Sequence, residues 1–549
     1  MDRVLFIVPP NLDFDSFINP GFNECEVSGK TGKFGSLLTD MPMGLISMSA
    51  YLKKNTAVEV KLINFNIVLT KMESFDYDSY KEFFLNALSA KEWLDYSPTL
   101  VGVSTLFTPS YYSMLDIAEA ARSIFPASLI IAGGGIPTNM YKKIFEDSTC
   151  FDALCYGEGE KPLSGLVAAT DKVEFLRNNQ SWITKEKVDK NQFFVFDHIV
   201  NLDEIPFFDY DILGTEGYGL NPLLSAFPLA QKKTKSMPYM TSRGCPHHCC
   251  FCASHTVHGR TMRYHSLDRL RTDFKRLSEQ YGIQTVVFLD DHFMADRQRV
   301  FTIIDILAEL QLTPFFPYSL TLYALDRKVL EALKSIGLNH IVLSVESGSN
   351  RVLKEIMHKP LNLSIVKRVI ADCRQLGIDT DVNFLIGLPG ETHHDIEVSL
   401  AFLKTLDATW FRIYVATPLV GSEMYNICVE HNYLSDNYLS CNLKKAVITT
   451  PDFTAEYIRD KAYSLNLELN FVWNSDLRLG NYDVALKGFE NTIRVKADHA
   501  FAYYFAAKAA KMLNLEEKYT SYKAKYQEIT GKSAFWKAYA NQFALPEIE

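Results

Sequence analysis

Short apolar runs rich in β-branched residues alternate with longer amphipathic stretches through the first 165 residues of the chain. Each run has the length of one buried strand and is bounded by turn residues. The runs predict strands at residues 4–8, 58–63, 100–104, 129–132 and 153–156. The amphipathic stretches predict helices near residues 43–53, 111–125 and 140–145. This alternation predicts an α/β fold in which residues 1–165 form a Rossmann-like parallel sheet, with a ligand crevice beyond the carboxyl ends of its strands.

The same alternation returns in residues 237–425. The predicted strands lie at residues 239–242, 285–289, 315–320, 340–344, 381–386 and 411–415. The predicted helices lie at residues 266–281, 297–310, 326–336, 363–376 and 394–406. Six strands with their helices predict a partial (β/α)6 barrel that is open on one side. In βα-barrels the chemistry lies at the carboxyl ends of the strands, so the residues that end each strand are the functional candidates.

Two regions lack this alternation. Residues 166–236 are predicted to be a linker, because the run 200–211 within them mixes acidic and aromatic residues with proline, without clear periodicity. Residues 426–549 turn helical, and the similar segments that begin at Leu479 and Leu513 repeat at the 34-residue tetratricopeptide (TPR) period. One and a half repeats cannot form a solenoid, so we expect a helical cap that packs on the barrel and helps to close a substrate cavity. Docking of a partner protein is the alternative.

Length, charge and cysteine usage narrow the protein class. A chain of 549 residues is too long for one core, and about three domains are expected. The net charge of -9 argues against a general nucleic-acid binder. No apolar run reaches the roughly 18 residues of a membrane span, and the apolar start of the chain predicts a strand rather than a signal peptide. Most cysteines are isolated, which is typical of a reduced, cytoplasmic protein.

Three cysteines form the exception. Cys245, Cys249 and Cys252 follow the spacing C-x3-C-x2-C. Thiolates this close in sequence can converge on an iron–sulfur cluster. Three ligands leave one iron of a [4Fe–4S] cluster free of protein, much as a catalytic zinc keeps an open position. That iron can take a substrate or a second cofactor.

The cysteine pattern also permits other interpretations. Chance clustering of buried cysteines and a disulfide are two of them, although nothing in the sequence indicates the oxidising compartment that a disulfide needs. Cys250 lies outside the spacing and is interpreted as a packed apolar residue. A zinc ion would need a fourth ligand, for which the candidates are His247, His248 and His255.

The segment resembles the radical S-adenosylmethionine (SAM) signature C-x3-C-x-φ-C, in which Phe251 is the aromatic residue before the last cysteine. The resemblance implies that the three cysteines bind a [4Fe–4S] cluster and that the open iron binds SAM through its amino and carboxylate groups. An electron from the cluster, supplied by an external flavodoxin- or ferredoxin-like donor, then breaks a carbon–sulfur bond to give a 5′-deoxyadenosyl radical.

Predicted strand ends after the cysteines resemble the SAM-contacting segments of this family, in the family's order. Asp290 and Asp291 end the second strand, where the resemblance places acceptors for the SAM ammonium. Glu346 resembles the family glutamate that contacts SAM, and Asn383 replaces the first glycine of the stretch that packs on adenine. Together with Phe251, the residues implied to contact SAM are Asp290, Asp291, Ser344, Glu346, Asn383, Leu385 and Gly387.

Loops of the N-terminal region resemble a cobalamin (vitamin B12) binding domain. No G-x-G-x-x-G follows the first strand, so a dinucleotide is not expected. The family's D-x-H-x-x-G motif is also absent, and Asn66 after the second strand is the candidate for the lower face of cobalt. Residues 156–160 are a further family-like patch that also suits a plain strand–helix turn. The residues implied to line the nucleotide tail of cobalamin are Ser104, Thr105, Leu106, Thr108, Gly133, Gly134 and Gly135.

Both resemblances together cover roughly residues 1–425 and make the chain similar to B12-binding radical SAM enzymes. They imply a methyltransferase that moves a methyl group from methylcobalamin to an unactivated carbon of a small-molecule or peptide substrate, through the 5′-deoxyadenosyl radical. Cyclisation, rearrangement or oxidation without methyl transfer is the alternative, since the same cofactors serve both. A non-catalytic sensor that docks a partner is a further alternative, against which the intact cysteine triad argues.

Overall fold

A six-stranded sheet organises the N-terminal region. The computed structural model describes residues 1–21, 26–30, 32–214, 217–218, 235–318 and 320–548. The strands of this region are β1 (Asp2–Val8), β2 (Glu26–Ser28), β3 (Lys33–Gly35), β4 (Val58–Asn64), β5 (Leu100–Ser104), β6 (Leu129–Gly133), β7 (Ala153–Cys155) and β8 (Trp182–Ile183). The sheet has the order β4-β1-β5-β6-β7-β8. All its pairs are parallel except β7–β8, and β2 and β3 form a separate hairpin.

The two faces of β1 explain why its sequence is a continuous apolar run. Leu5 and Ile7 belong to the hydrophobic cluster on one face, whereas Val4 and Phe6 belong to the cluster on the other. A parallel strand covered by helices on both faces needs apolar residues at every position. The strand order also reverses at β1, and such a switch point opens a crevice at the carboxyl ends of β1 and β5.

Helices cover both faces of this sheet. They are α1 (Phe14–Ile18), α2 (Met43–Asn55), α3 (Phe65–Lys71), α4 (Tyr80–Leu88), α5 (Lys91–Tyr96), α6 (Tyr111–Ile124), α7 (Gly135–Asp147), α8 (Glu160–Ala168), α9 (Lys172–Asn178) and α10 (Lys185–Asp189). The predicted α2 and α6 agree with the structure to within two residues. However, α7 begins at Gly135, before the predicted start at residue 140, and α3 to α5 were not predicted.

The predicted linker is partly structured. Residues 172–189 of it form α9, β8 and α10, and β8 extends the sheet through its pairing of Cys155 with Trp182. Residues 219–234 of the predicted linker lie outside the described part of the chain. The sheet therefore continues past residue 165, because Trp182 and Ile183 are both fully buried against it.

The second α/β unit contains two three-stranded parallel sheets. Its strands are β9 (Ser236–Tyr239), β10 (Ser242–Arg243), β11 (Arg263–Tyr264), β12 (Thr285–Phe288), β13 (Thr313–Phe315), β14 (His340–Glu346), β15 (Asp379–Ile386) and β16 (Trp410–Val415). The sheets have the orders β13-β12-β9 and β14-β15-β16. A parallel bridge between Leu320 and Leu343 links them. The six strands therefore follow one another in the order expected of a partial barrel.

Two barrel strands differ from their predicted limits by three residues or more, and the other four agree to within two residues. The first was predicted at residues 239–242, but β9 ends at Tyr239, because the backbone N–H and hydroxyl of Thr241 both donate to the Asp290 carboxylate and take the chain out of the sheet. The third was predicted at residues 315–320, but β13 ends at Phe315, and Pro317 has no N–H to continue a ladder.

Helices follow the barrel strands, and the five that were predicted agree with the structure to within three residues at each end. They are α11 (His255–His258), α12 (Leu267–Tyr281), α13 (Arg297–Glu309), α14 (Arg327–Ser335), α15 (Leu363–Gln375), α16 (His393–Leu403) and α17 (Glu423–Glu430). Of these, the short α11 and α17 were not predicted. Polar N-caps mark several starts, such as Ser266 before α12 and Asp326 before α14.

The C-terminal region is helical, as its pattern predicts. Its helices are α18 (Ala455–Leu467), α19 (Ser475–Leu479), α20 (Tyr482–Val495), α21 (Ala500–Met512), α22 (Glu516–Lys532) and α23 (Ala534–Gln542). The segments that begin at Leu479 and Leu513 immediately precede α20 and α22, as a TPR-like repeat requires. Among the described residues, none of the helices combines the length and apolarity that crossing a bilayer requires.

The C-terminal helices cover the edge strand of the barrel. The side-chain oxygen of Asn470 accepts from Phe411 N at 2.7 Å, and its amide donates to Phe411 O at 2.8 Å. The amide thus takes the place of a neighbouring strand beside β16, which protects an otherwise open edge. Trp410 also packs in the same hydrophobic cluster as α20 and α21.

Candidate active site at the domain interface

One large cavity lies where the carboxyl ends of the N-terminal strands face the barrel. Its volume is about 350 Å³. Its walls combine β1, β5 and β6 strand ends with Met240, Leu289, Asp291 and Tyr318 of the barrel. None of the described lining residues belongs to residues 426–549, so the C-terminal helices cap a sheet edge rather than this cavity. Of the residues predicted to contact cobalamin, those that line it are Asn66, Ser104, Leu106, Gly133 and Gly134.

A close backbone approach shapes the floor of the cavity. Gly134 has φ +107°, and a Cβ added there would lie 2.5 Å from the carbonyl oxygen of Thr105. Thr105 N in turn donates to Gly133 O, and Thr105 O accepts from Ile136 N. The loops after β5 and β6 are thus pressed together with no side chain between them, a bare surface that suits a large flat ligand. Gly135 differs, because an added Cβ would stand 3.8 Å from its nearest neighbour.

Two buried hydroxyl groups lie in the same loop. The Oγ1 atoms of Thr105 and Thr108 are buried and have no hydrogen-bond partner among the described residues. Buried polar atoms are normally paired, but neither threonine lines the cavity. The close backbone approach at Gly134, with Ser104 and Gly133 on the cavity wall, is what fits the cobalamin that the sequence implies.

Asn66 holds the loop after β1 rather than presenting a free side chain. Its Oδ1 accepts from Asn11 N at 2.9 Å, and its Nδ2 donates to Pro9 O at 2.9 Å and to Asn64 Oδ1 at 3.0 Å. Asn66 nevertheless reaches the cavity wall. Because its side-chain oxygen and nitrogen are already hydrogen-bonded, Asn66 presents a fixed surface to the cavity.

The cysteine segment lies beside the cavity, and its four cysteines differ in exposure. Cys245, Cys249 and Cys252 are partly exposed, whereas Cys250 is buried. Burial raises the pKa of the Cys245 thiol to about 11, and the nearby thiols of Cys252 and Cys249 add to the rise. Three accessible thiols on one loop fit a [4Fe–4S] cluster.

The spacing of these thiols bears on the zinc interpretation. Within the described part of the chain, no three His, Cys, Asp or Glu side chains come close enough together to share one metal ion. Tetrahedral zinc needs such convergence. The cysteines of a [4Fe–4S] cluster instead bind different iron atoms and need not meet at one ion.

Tight backbone contacts hold the cysteine segment in place. Gly244 has φ +93°, and a Cβ there would lie 2.4 Å from Thr261 O. Cys250 N donates to Met357 O, and Cys250 O accepts from Met424 N. The buried cysteine therefore anchors the segment to the barrel, while its neighbours remain accessible.

The adjacent carboxylates at the end of β12 face different surroundings. Asp290 accepts hydrogen bonds from the hydroxyls of Thr241 and Ser242, at 2.7 and 2.6 Å. Among the described residues, Asp291 accepts only from Gly244 N, at 3.2 Å, and it lines the cavity. Asp290 therefore holds the strand that leads into the cysteine segment, and Asp291 is the carboxylate that a ligand can reach.

Glu346 lies at a strained position at the end of β14. Its φ is +66°, and the register of β14 with β15 shifts between Ser344 and Glu346. Left-handed backbone at a residue other than glycine costs free energy and is concentrated at functional sites. Burial raises the pKa of Glu346, although Lys359, 3.9 Å away, opposes the rise. The strain and the largely buried carboxylate support a binding role.

The other residues predicted to contact SAM lie around β15. Ser344 pairs with Asn383 in the ladder, and Leu385 is buried in the barrel core. Gly387 directly follows β15 with φ +88°, and an added Cβ would meet Ile458 of α18 at 2.7 Å. Phe251 packs against the barrel core from the cysteine segment.

Glu391 is a buried acid that the sequence analysis did not single out. Its Oε2 accepts from Gly387 N at 2.6 Å and from Leu388 N at 3.3 Å. Its Oε1 is buried and has no hydrogen-bond partner among the described residues. Burial raises the pKa of Glu391 to about 8, against the two N–H donors. Glu391 therefore closes the Gly-Leu-Pro-Gly turn, and the only sequence signal was its place in that turn.

We expect Glu391 to make stability fall as the pH rises. Between its ordinary pKa of 4.5 and its folded pKa of about 8, the folded chain keeps a proton that the unfolded chain has lost. The free energy of unfolding therefore falls as the pH rises between these two pKa values, by on the order of a few kcal/mol. Glu391→Gln should remove this dependence. Urea unfolding of the apoprotein from pH 5 to 9 measures it, with exposed Glu355→Gln as control; parallel curves for wild type and Glu391→Gln would contradict the expectation.

Two protein-family models match the two regions of the chain that line the cavity. Residues 239–403 match the Radical SAM superfamily, and residues 41–167 match the B12 binding domain. An uncharacterised methyltransferase of Pyrococcus horikoshii is 28% identical over 371 residues, covering 66% of this chain and 76% of that protein. The cytidylyl-2-hydroxyethylphosphonate methyltransferase of Streptomyces wedmorensis is 25% identical over 467 residues, covering 78% of this chain and 86% of that protein.

A solved structure shares the whole architecture. The cobalamin-dependent S-adenosylmethionine radical enzyme OxsB, with aqua-cobalamin and S-adenosylmethionine bound, aligns with a TM-score of 0.61 at 15% identity. The alignment covers 100% of this chain and 82% of that protein. At this identity the likeness establishes the fold. The predicted order of a sheet domain, a partial barrel and a helical region is thereby confirmed.

Proposed function

We propose that this chain, a radical SAM enzyme with a B12 binding domain, is a methyltransferase that acts on a carbon atom of a small-molecule or peptide substrate. One observation carries the proposal. Ser104, Gly133 and Gly134 of the cobalamin-binding loops line the same cavity as Asp291, which lies beside the cysteine segment. A methyl carrier and a radical source can serve one substrate only if both open into one space.

Each cofactor has residues suited to hold it. Cys245, Cys249 and Cys252 would bind the [4Fe–4S] cluster, and the bare loop surface at Gly134 would take the tail of cobalamin. Asp291 and Glu346 would accept hydrogen bonds from the SAM ammonium. When bound, the cluster and SAM supply a carbon-centred radical and cobalamin supplies the methyl group.

The chain itself contributes position and shelter. Asp291 would orient the amino end of SAM toward the cysteine segment. Its carboxylate accepts a hydrogen bond from Gly244 N, which holds it beside that segment. Met41, Met240 and Leu289 give the cavity an apolar wall that excludes water from a reactive radical. An external electron donor of the flavodoxin or ferredoxin kind completes the proposal.

The test begins with the cofactors and ends with the products. Anaerobic protein is reconstituted with iron and sulfide, incubated with hydroxocobalamin, desalted, reduced and given SAM. We expect near-stoichiometric retained cobalamin, and both S-adenosylhomocysteine and 5′-deoxyadenosine as products. Formation of 5′-deoxyadenosine alone, with cobalamin retained, would replace methyl transfer with other radical chemistry. A cluster without retained cobalamin would remove the methyl carrier and overturn the proposal.

A further inference from the structure

A buried ion network joins the two domains beside the cavity. Glu158 lies in the turn after β7 and Glu160 begins α8, whereas Arg243 and Arg263 lie on the paired strands β10 and β11. All four side chains are buried. Arg263 donates to both oxygens of Glu158, one bond being 2.9 Å. Arg243 lies 3.1 Å from Glu158 and donates to Glu160 at 2.7 Å.

Further hydrogen bonds complete the network. The Ser47 hydroxyl of α2 donates to Glu160 at 2.6 Å and accepts from Arg243 at 3.0 Å. His258 Nδ1 lies 2.9 Å from Glu158 Oε1, and Arg263 also donates to Ile199 O. Burial alone would raise the pKa of Glu158, but Arg243 and Arg263 outweigh it and hold that pKa below its ordinary value. Glu158 therefore remains ionised between the two arginines.

The position of the network links the two cofactor sites. Arg243 directly precedes Gly244 and Cys245, so its side chain fixes the entry to the cysteine segment. On the other domain, Gly157 and Gly159 flank Glu158 and line the same cavity as Gly134. The network is thus a direct, buried polar connection between the residues that carry the cysteines and the turn beside the cobalamin-binding loops; a hydrogen bond from Asn139 to Thr256 also crosses between the domains.

Stability alone does not account for this arrangement. Buried ion pairs pay a large desolvation cost, and well-packed apolar residues often serve stability as well or better. What paired carboxylate and guanidinium groups add is direction, since a two-bond Arg–carboxylate contact defines both distance and angle. Apolar contacts meanwhile keep the domains docked, because Met41, Met43 and Ile46 belong to the same hydrophobic cluster as the barrel core.

We propose that Glu158 and Glu160 are positioning residues that set the distance and orientation between the cobalamin-binding loops and the cysteine segment. The inference rests on the proposed function, because it assumes that both cofactors work across one cavity. Neither glutamate needs to touch the reacting atoms. A shift of about 1 Å between reacting groups can cost on the order of a hundredfold in rate. A small change in the relative position of the two sites, here called their register, would therefore be measurable.

The test uses a charge-balanced variant. Glu158→Gln with Arg263→Met removes one acid and one base and leaves the pair of Glu160 with Arg243. Its matched control is Glu119→Gln with Lys81→Met, an exposed pair 2.7 Å apart on the same domain. All proteins are reconstituted with cluster and cobalamin, and iron and cobalamin contents are measured first.

Two measurements then report register. The first is the broadening of the cob(II)alamin electron paramagnetic resonance signal by the reduced cluster, which depends on their separation. The second is the rate of S-adenosylhomocysteine formation relative to 5′-deoxyadenosine formation. We expect the network variant to bind both cofactors, to show altered broadening, and to lower the rate ratio about tenfold or more. The control should match wild type.

The outcomes separate the inference from the proposed function. If wild type forms no S-adenosylhomocysteine, the methyltransferase proposal fails, and the paramagnetic broadening still tests register. If the network variant matches wild type in both measurements, the inference is overturned. If the variant fails to fold or loses a cofactor, Glu158→Asp decides, since it keeps the charge and withdraws the carboxylate by one methylene. Altered broadening in that variant with both cofactors bound supports positioning, and unchanged broadening or lost cofactors overturns it.

Discussion

The Cys249→Ala variant is expected to form no detectable 5′-deoxyadenosine from SAM while retaining cobalamin as wild type does. The variant keeps only two of the three thiolates proposed to bind the cluster. Loss of a residue that merely hydrogen-bonds to a metal ligand already costs about 10–100-fold in metal affinity or activity, so loss of a ligand itself should cost more. The loops proposed to bind cobalamin lie on the other domain, and no hydrogen bond between described residues joins them to Cys249. The measurements are 5′-deoxyadenosine by chromatography, iron content, and the cobalamin absorbance that remains after desalting.

The neighbouring cysteine supplies the control. Cys250 is buried, and its backbone rather than its thiol holds the segment to Met357 and Met424. Burial raises the pKa of its thiol to about 12, which disfavours the thiolate that binds iron. Cys250→Ala should therefore keep the cluster and SAM cleavage. Retained cleavage in Cys249→Ala, or equal loss in both variants, would show that the cluster ligands are assigned wrongly.

The second large effect is expected at Gly134. An alanine there needs a left-handed backbone and places Cβ 2.5 Å from Thr105 O, so the loops after β5 and β6 must separate. That movement spoils the floor on which cobalamin is proposed to lie. We expect cobalamin retention to fall about tenfold or more in Gly134→Ala, as judged by the affinity for hydroxocobalamin of protein that carries its cluster.

The next residue along the chain provides the matched control for this variant. Gly135 begins α7, and an added Cβ there meets only Leu106 O, at 3.8 Å. Alanine is also the better helix former. Gly135→Ala should therefore bind cobalamin as wild type does. Equal affinities of the Gly134→Ala and wild-type proteins would exclude this close approach as the basis of the site.

The strands were the most predictable elements, because their pattern is a local property of the chain. The run from Val4 to Ile7 faces apolar clusters on both sides of the sheet, so every position in it had to be apolar. The strand ends that depend on residues far along the chain were not predicted. β9 ends at Tyr239 because Asp290, about fifty residues later, binds Thr241.

In the candidate site, too, adjacent residues of the same type have different roles that the local sequence does not reveal. Asp290 and Asp291 are indistinguishable in sequence, yet one is bonded to the strand that precedes the cysteines and the other opens into the cavity. Glu391 was missed because nothing local marks a glutamate that will be buried under its own turn. The family itself was predicted correctly, since the cysteine spacing and the order of the strand-end segments are properties of the chain alone.

By itself, the sequence determined the kinds of element, their order and the cluster motif, because hydrophobic period and short spacing act over a few residues. Only the tertiary structure decided which of two adjacent carboxylates or glycines serves the cavity. It also decided that Glu158 pairs with Arg263, 105 positions along the chain. Such pairs form only when both domains have folded. Burial then removes water from both charges, and this cost is offset only if the two charges pair with each other.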